Sequence, residues 1–291
     1  MTQIVAAHYA QPQARRHLWA GLAMAAIGLV YAGQLLSQWL AAHPMAALGL
    51  AASLMAGLAT GLGALPILVL RRPSERAMAP LLGLAGGMML AASLFSLLVP
   101  AVQTVADAGT PVGLALATVV AFLAGGQIMQ ALDRRFPHTH VERVGNGAIL
   151  PRVGLVVAAI SLHNVPEGLA VGVAAAAGAD HGMTLGIALQ NIPEGWIVGS
   201  AMLLLGAGPW RAAGIALATG LVEPLGGLVG VVATTLAEAT LPIALAGAAG
   251  AMLWVVSHEL IPASHGPGRD GTGTAGLAAG FAVMTGLAIA F

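Results

Sequence analysis

Two short polar phrases, each inside an apolar stretch, hold the side chains of this chain that are best suited to bind a cation. The phrase HNVPEG covers residues 163–168, and the phrase QNIPEG covers residues 190–195. Each places an imidazole or an amide four residues before a carboxylate, and positions i and i+4 lie on one face of a helix. The spacing therefore predicts two facing ligand pairs: His163 with Glu167, and Gln190 with Glu194.

The surroundings of these phrases are those of a membrane protein. Hydrophobic residues make up 58% of the 291 positions and charged residues 8%, against about 25% charged in ordinary soluble domains. The chain has no cysteine, which excludes disulfides and thiolate ligands. Its formal net charge is zero, so nothing in the composition indicates nucleic-acid binding.

A membrane-crossing helix needs about 20 predominantly apolar residues, and this rule predicts an all-α polytopic protein with nine spans. The two phrases lie 27 residues apart, about the length of one crossing plus a turn, so both ligand pairs are expected at a similar depth. The predicted spans are residues 18–40, 46–70, 78–101, 111–132, 153–178, 183–206, 212–236, 241–262 and 273–291.

The distribution of basic residues predicts the orientation. Basic residues in short loops mark the cytoplasmic side, and every basic residue here is an arginine that precedes the first span or lies in alternate loops. This places the N-terminus in the cytoplasm and the C-terminus outside, in the inner membrane of a bacterium. The arginines are Arg15, Arg16, Arg71, Arg72, Arg76, Arg134, Arg135, Arg143, Arg152, Arg211 and Arg269.

Four carboxylates lie within predicted spans, where an ionisable residue is costly and therefore a functional candidate. Besides Glu167 and Glu194 they are Glu223, followed by a proline, and Glu259, preceded by His258. Carboxylate, imidazole and amide oxygen form a ligand set that suits zinc, iron(II), manganese and, less selectively, cadmium. The residues therefore predict a binding site for such divalent cations.

Two other classes of protein could also contain carboxylates within a membrane. A metal-free proton-coupled solute transporter would use the carboxylates as a proton relay but would not explain the repeated ligand spacing. An intramembrane metalloenzyme would need an H-E-x-x-H motif, and the His-Glu pair at 258–259 has Pro262 where the second histidine must stand. The chain is therefore predicted not to be an enzyme.

The two phrases, the Glu-Pro of the following span and the His-Glu of the next resemble the ZIP (Zrt-/Irt-like) family of metal transporters, its bacterial members above all. The resemblance covers residues 46–291 and implies an eight-helix transport domain, with a cytoplasmic loop at about 133–152. It also implies transport of divalent cations into the cytoplasm, zinc above all, with the ions as substrates and no resident cofactor. Residues 1–45 would form a cytoplasmic N-terminus and an accessory span. The oligomeric state stays open between monomer and homodimer.

The resemblance also implies a two-metal centre midway through the membrane. A neutral amide at Asn191, where relatives can carry aspartate, predicts one strong position and a weaker neighbour. The first metal would be held by Met89, His163, Glu167, Gln190 and Glu194, and the second by Asn164, Glu167, Asn191, Glu194 and Glu223.

Further residues are expected on the cytoplasmic side of this centre. His258, Glu259 and His265 would mark an exit of low affinity, and His138 and His140 in the loop would collect departing ions. Relatives are thought to move one helix bundle against another like an elevator. Small residues at close helix contacts suit either this movement or static packing.

Overall fold

The computed structural model describes residues 12–69, 75–135, 149–176, 181–236, 240–265 and 270–290, and the described part is all-helical. The helices are α1 (Pro12–Ala42), α2 (Pro44–Ala64), α3 (Glu75–Ala91), α4 (Val99–Asp107), α5 (Val112–Arg135), α6 (Ile149–Ala176), α7 (His181–Leu204), α8 (Pro209–Gly220), α9 (Glu223–Leu236), α10 (Thr240–Val255), α11 (Ile261–Ser264) and α12 (Asp270–Ala290).

Six helical segments among the described residues are long and apolar enough to cross a membrane. Each of the six coincides with a predicted span. The other three predicted spans also correspond to helices, α1, α6 and α7, but these helices are not among the six segments. The six segments are Pro44–Leu68, Ala77–Asp107, Val112–Arg135, Pro209–Thr234, Thr240–Ser264 and Gly271–Ala290.

The chain divides into two compact units, residues 1–47 and 48–291. In the first unit, α1 exposes large apolar side chains such as Met24 and Ile27, and the Trp39 ring stacks on His43 with ring centroids 4.6 Å apart. The second unit contains both polar phrases and the buried core.

Three helix pairs carry much of the packing in the second unit: α3 with α12, α6 with α9, and α5 with α10. Glycines allow the backbones of each pair to approach. A Cβ on Gly87 would lie 2.0 Å from the carbonyl oxygen of Leu277, and one on Gly125 would lie 2.0 Å from that of Gly247. Real Cβ atoms do not come so close, so these contacts require glycine.

Two short π-helical turns interrupt long helices shortly before a proline. Ala92–Leu98 joins α3 to α4 ahead of Pro100, and Val256–Leu260 joins α10 to α11 ahead of Pro262. Proline lacks an N–H, and π turns occur frequently at functional sites. The second of these turns carries His258 and Glu259.

Substitution of Gly172 tests the importance of the α6–α9 contact. Its Cβ would lie 2.0 Å from the carbonyl oxygen of Gly227, whereas a Cβ on the exposed Gly214 would meet nothing within 4 Å. We expect Gly172→Ala to lower the free energy of unfolding by about 1–3 kcal/mol, as overpacking does, and Gly214→Ala not to lower it, because alanine is the better helix former. Thermal unfolding in detergent micelles measures both, and equal Tm values would contradict the contact.

Candidate functional site: a buried carboxylate and amide cluster

The two polar phrases lie on neighbouring helices, α6 and α7, and both helices continue through their prolines, Pro166 and Pro193. The predicted ligands in the two phrases, together with Glu223, are buried or half-buried side chains. Those less than 2% exposed are Asn164, Glu167, Gln190, Asn191 and Glu223, while His163 and Glu194 are half-buried. The sequence predicts that these polar side chains lie inside a helix bundle, and in the structure they do.

Hydrogen bonds join the two phrases to each other and to α9. Gln190 Nε2 donates to Glu167 Oε1 over 2.7 Å, which links α7 to α6. Asn191 Nδ2 donates to Glu223 Oε1 over 2.7 Å and lies 2.8 Å from the carbonyl oxygen of Ala56 in α2. Helices α2, α6, α7 and α9 therefore meet at one cluster.

The glycine that ends each phrase explains how the helices come this close. A Cβ on Gly168 would lie 1.9 Å from the carbonyl oxygen of Glu223, and a Cβ on Gly195 would lie 1.8 Å from that of Thr60. Each glycine thus presses its helix against a neighbour one residue after the glutamate. A glycine follows the glutamate in both phrases of the sequence, but the ligand spacing alone does not predict a helix contact at this glycine.

The cluster leaves an excess of buried oxygen atoms that lack a hydrogen-bond donor among the described residues. Buried polar atoms in proteins nearly always have a partner, and an unpaired one costs about 1–3 kcal/mol. Six of the unpaired oxygens of this protein belong to predicted ligands, one oxygen to each residue. They are Asn164 Oδ1, Glu167 Oε2, Gln190 Oε1, Asn191 Oδ1, Glu194 Oε1 and Glu223 Oε2. This set of acceptors is what a cation would satisfy.

His163 has a contact that the helix periodicity did not predict. Its Nε2 lies 2.9 Å from Glu259 Oε1, which joins the first phrase to the π turn after α10. In the same turn, His258 Nε2 lies 3.8 Å from Asp133 Oδ2 at the end of α5, and the His258 ring stacks on Trp254. Asp133 was not among the predicted site residues. We call Asp133, His163, His258 and Glu259 the imidazole–carboxylate group.

No three imidazole or carboxylate side chains of the described residues are arranged as they stand to hold a metal ion. The reason is visible in the pairs above: an amide occupies one oxygen of Glu167 and one of Glu223, and His163 is paired with Glu259. A metal ion bound here would have to take amide oxygens as ligands or displace some of these bonds.

The other predicted residues lie in different settings. Met89 is 3% exposed within the apolar core of the second unit. Both ring nitrogens of His265 have partners, with Nε2 2.9 Å from Thr274 Oγ1 and Nδ1 2.8 Å from the carbonyl oxygen of Ile261. His138 and His140 lie outside the described residues.

The fold and the cluster together define a class: an all-helical membrane protein with acidic and amide side chains buried between its helices. Comparison with known proteins makes this more specific. The family model described as "ZIP Zinc transporter" matches residues 137–288. The chain belongs to the ZIP family.

Three bacterial relatives support the family assignment over most of the chain. It is 46% identical over 240 residues to the zinc transporter GufA of Myxococcus xanthus, which covers 80% of this chain and 94% of the relative. It is 44% identical over 237 residues to the zinc transporter ZIPB of Bordetella bronchiseptica, covering 78% and 75%. It is 35% identical over 248 residues to the zinc transporter ZupT of Corynebacterium efficiens, covering 80% and 92%.

The family membership confirms several predictions made from the sequence. The resemblance to bacterial ZIP proteins is confirmed, as are the all-helical membrane fold and the conclusion that the chain is a transporter and not an enzyme. The ligand set, the number of spans, the orientation and the domain boundary stay predictions.

Replacing Asn191 tests whether its two hydrogen bonds hold the cluster together. Asn191→Leu would leave one buried oxygen of Glu223 without a donor, at about 1–3 kcal/mol, and would remove the additional bond to the carbonyl of Ala56 within α2. We expect a clear loss of thermal stability in the metal-free protein. Gln127→Leu, which changes an exposed amide in α5 in the same way, should cause little change. Equal Tm values for the two variants would show that the Asn191 bonds contribute nothing.

Proposed function

We propose that this protein carries zinc ions across a bacterial inner membrane into the cytoplasm and binds them at the carboxylate and amide cluster. The single observation that supports the cluster as the binding site is its set of six buried oxygens without a hydrogen-bond donor. The printed names of the three relatives support zinc as the cargo. A cation among these oxygens would offset the cost of burying them.

The proposed site has two neighbouring metal positions that share Glu167 and Glu194. Position one combines an imidazole with two carboxylates, one amide and a thioether, and position two combines three carboxylates with two amides. Because Asn191 is neutral where relatives can carry aspartate, we expect the second position to be the weaker one. Position one comprises Met89, His163, Glu167, Gln190 and Glu194, and position two comprises Asn164, Glu167, Asn191, Glu194 and Glu223.

Binding requires some side chains to exchange partners. His163 must turn from Glu259 to face the ion, and the amide of Gln190 must present its oxygen in place of the N–H that now bonds Glu167. Since these bonds are hydrogen bonds of ordinary length, an ion that binds can replace them and an ion that leaves can restore them. Such exchange meets the requirement that a transported ion be held firmly enough to enter and loosely enough to leave.

The imidazole–carboxylate group is the proposed exit. His163 belongs both to this group and to the first metal position, so one ring rotation would hand an ion from Glu167 towards Glu259. Asp133 and His258 lie beyond, where both are more exposed than Glu167. His138 and His140 would collect the ion in the cytoplasmic loop, and His265 would help to mark the exit.

The finer architecture is also part of the proposal. It comprises nine spans with a cytoplasmic N-terminus and an external C-terminus, an accessory segment at 1–45, a transport domain at 46–291 and elevator-type alternating access. Because the chain has no cysteine, single cysteines introduced into loops can report their side of the membrane by labelling. Pairs of cysteines that crosslink identically with and without zinc would contradict the elevator movement. Mass measurement in native nanodiscs separates monomer from homodimer.

Removing the charge of one shared ligand should abolish most transport. We expect Glu167→Gln and, separately, Glu194→Gln to lower zinc flux into proteoliposomes by more than about tenfold, equivalent to about 1.4 kcal/mol of lost interaction. Asp107→Asn serves as the control, since Asp107 is exposed at the end of α4, and should retain normal flux.

Zinc binding to the same variants in detergent, measured by calorimetry, identifies the step that fails. Loss of both binding and flux supports the cluster as the binding site. Normal flux in Glu167→Gln would refute the ligand assignment.

Selectivity tests the assignment of Met89. A thioether is a soft ligand that favours softer ions, so Met89→Leu should lower the ratio of cadmium to zinc flux. The exchange nearly conserves volume and should cost less than about 1.5 kcal/mol in stability. Met88→Leu is the matched control, because Met88 is equally buried and adjacent. If competition among zinc, cadmium, iron(II) and manganese gave the same order in both variants, Met89 would be a packing residue only.

A further inference from the structure

An apolar groove of about 390 Å³ lies in the second unit where α5, α6 and α10 meet. On α6 it is lined by Val165, Pro166 and Leu169, so its wall includes the residue directly before Glu167. Ala124 of α5 and Gly247 of α10 lie among the lining residues on the other two helices. The lining side chains are all apolar.

The groove follows from the way the helices pair. Helix α5 packs mainly on α10, and α6 packs mainly on α9. Glycine contacts hold both pairs tightly: a Cβ on Gly250 would lie 1.9 Å from the carbonyl oxygen of Phe122, and one on Gly172 would lie 2.0 Å from that of Gly227. Between the two pairs, no glycine whose surroundings the structure describes draws α5 onto α6, and small residues there leave open volume.

The neighbourhood of the groove determines what can fill it. Helix α5 exposes large apolar side chains beside it, with Val120 62%, Leu123 59% and Ile128 58% exposed. In a membrane protein such a face meets lipid. Water is not stable in an apolar cavity that offers it no polar partner, and at this depth the surrounding medium is hydrocarbon.

We propose that the groove binds one acyl chain of a bilayer phospholipid, which lies against Pro166 and between the α5–α10 and α6–α9 pairs. The chain needs no polar group from the protein, and its headgroup stays at the membrane surface. If the proposed function is correct, this lipid chain packs on the helix that carries the metal ligands, and α6 cannot close onto α5 until the chain leaves.

Photolabelling distinguishes a bound chain from ordinary solvation by lipid. The protein, purified in detergent micelles, is titrated with a phosphatidylcholine that carries a diazirine near one chain end. After irradiation, adducts are mapped by peptide mass spectrometry. Adducts at Ala124 and Leu132 should saturate when one probe is bound to each protein chain, whereas adducts at the exposed Leu116 and Val120 should rise in proportion to the probe added.

Filling the groove should remove the saturable labelling. A Cβ on Gly247 would meet only the carbonyl oxygen of Ala121, at 3.7 Å, so Gly247→Leu can place its side chain in the groove. Ala124→Leu fills it from α5 and serves if the first variant does not fold. Gly214→Leu adds the same side chain at an exposed place with nothing within 4 Å and should change nothing.

The outcome separates this proposal from the proposed function, because the labelling needs no zinc. Saturable labelling that both filling variants abolish supports the bound chain, even in a protein that fails to transport zinc. Proportional labelling at groove and exposed residues alike, or saturable labelling that persists in the filling variants, would overturn it.

Discussion

Glu167, Glu194 and Glu223 lie inside a helix bundle surrounded by hydrocarbon, and none of the arginines in the described part of the chain pairs with them. Burying a carboxylate is expensive unless another group compensates its charge. The protein supplies only partial compensation, since one amide donates to Glu167 and another to Glu223. The remaining oxygens have no hydrogen-bond donor among the described residues, and this is why we propose the cluster as the cation site. The neighbouring elements serve to hold this unfavourable arrangement in place.

Backbone contact is the means by which the bundle holds it. Both glutamates of the polar phrases are followed by a glycine that touches the backbone of another helix, Gly168 against α9 and Gly195 against α2. A larger residue would push the helices apart and break the hydrogen bonds that the side-chain amides of Gln190 and Asn191 now make between α6, α7 and α9. Packing at these glycines therefore sets the distances between the oxygens. The same close pairing of α6 with α9 leaves α6 loosely covered on the side that faces α5, where the groove lies.

Much of this arrangement could be predicted from the sequence, for identifiable reasons. Apolar length and the i, i+4 spacing are local properties, so helices at the predicted places followed from them. The family resemblance placed Asn191 and Glu223 at one metal position. The two side chains share a 2.7 Å hydrogen bond, while the metal position itself stays a prediction. The contact between His163 and Glu259 was not predicted. A π turn bonds i to i+5 and shifts the following residues around the helix axis, so a period of 3.6 misplaces the face on which Glu259 lies.

Asp133 shows the same limit at longer range. In the sequence it is an acid beside Arg134 and Arg135 at a span end, which is typical of a solvated helix terminus. Its approach to His258 depends on the angle and register of α5 against α10, and these are set by Gly125, Gly247 and Gly250 far along both helices. Distant close packing thus decides which acid reaches the imidazole–carboxylate group. The position of the groove has the same origin, because the contacts that draw α5 onto α10 also draw it away from α6. If the proposed function is correct, the ion site, its exit and the lipid-facing groove are three consequences of one pattern of helix pairing.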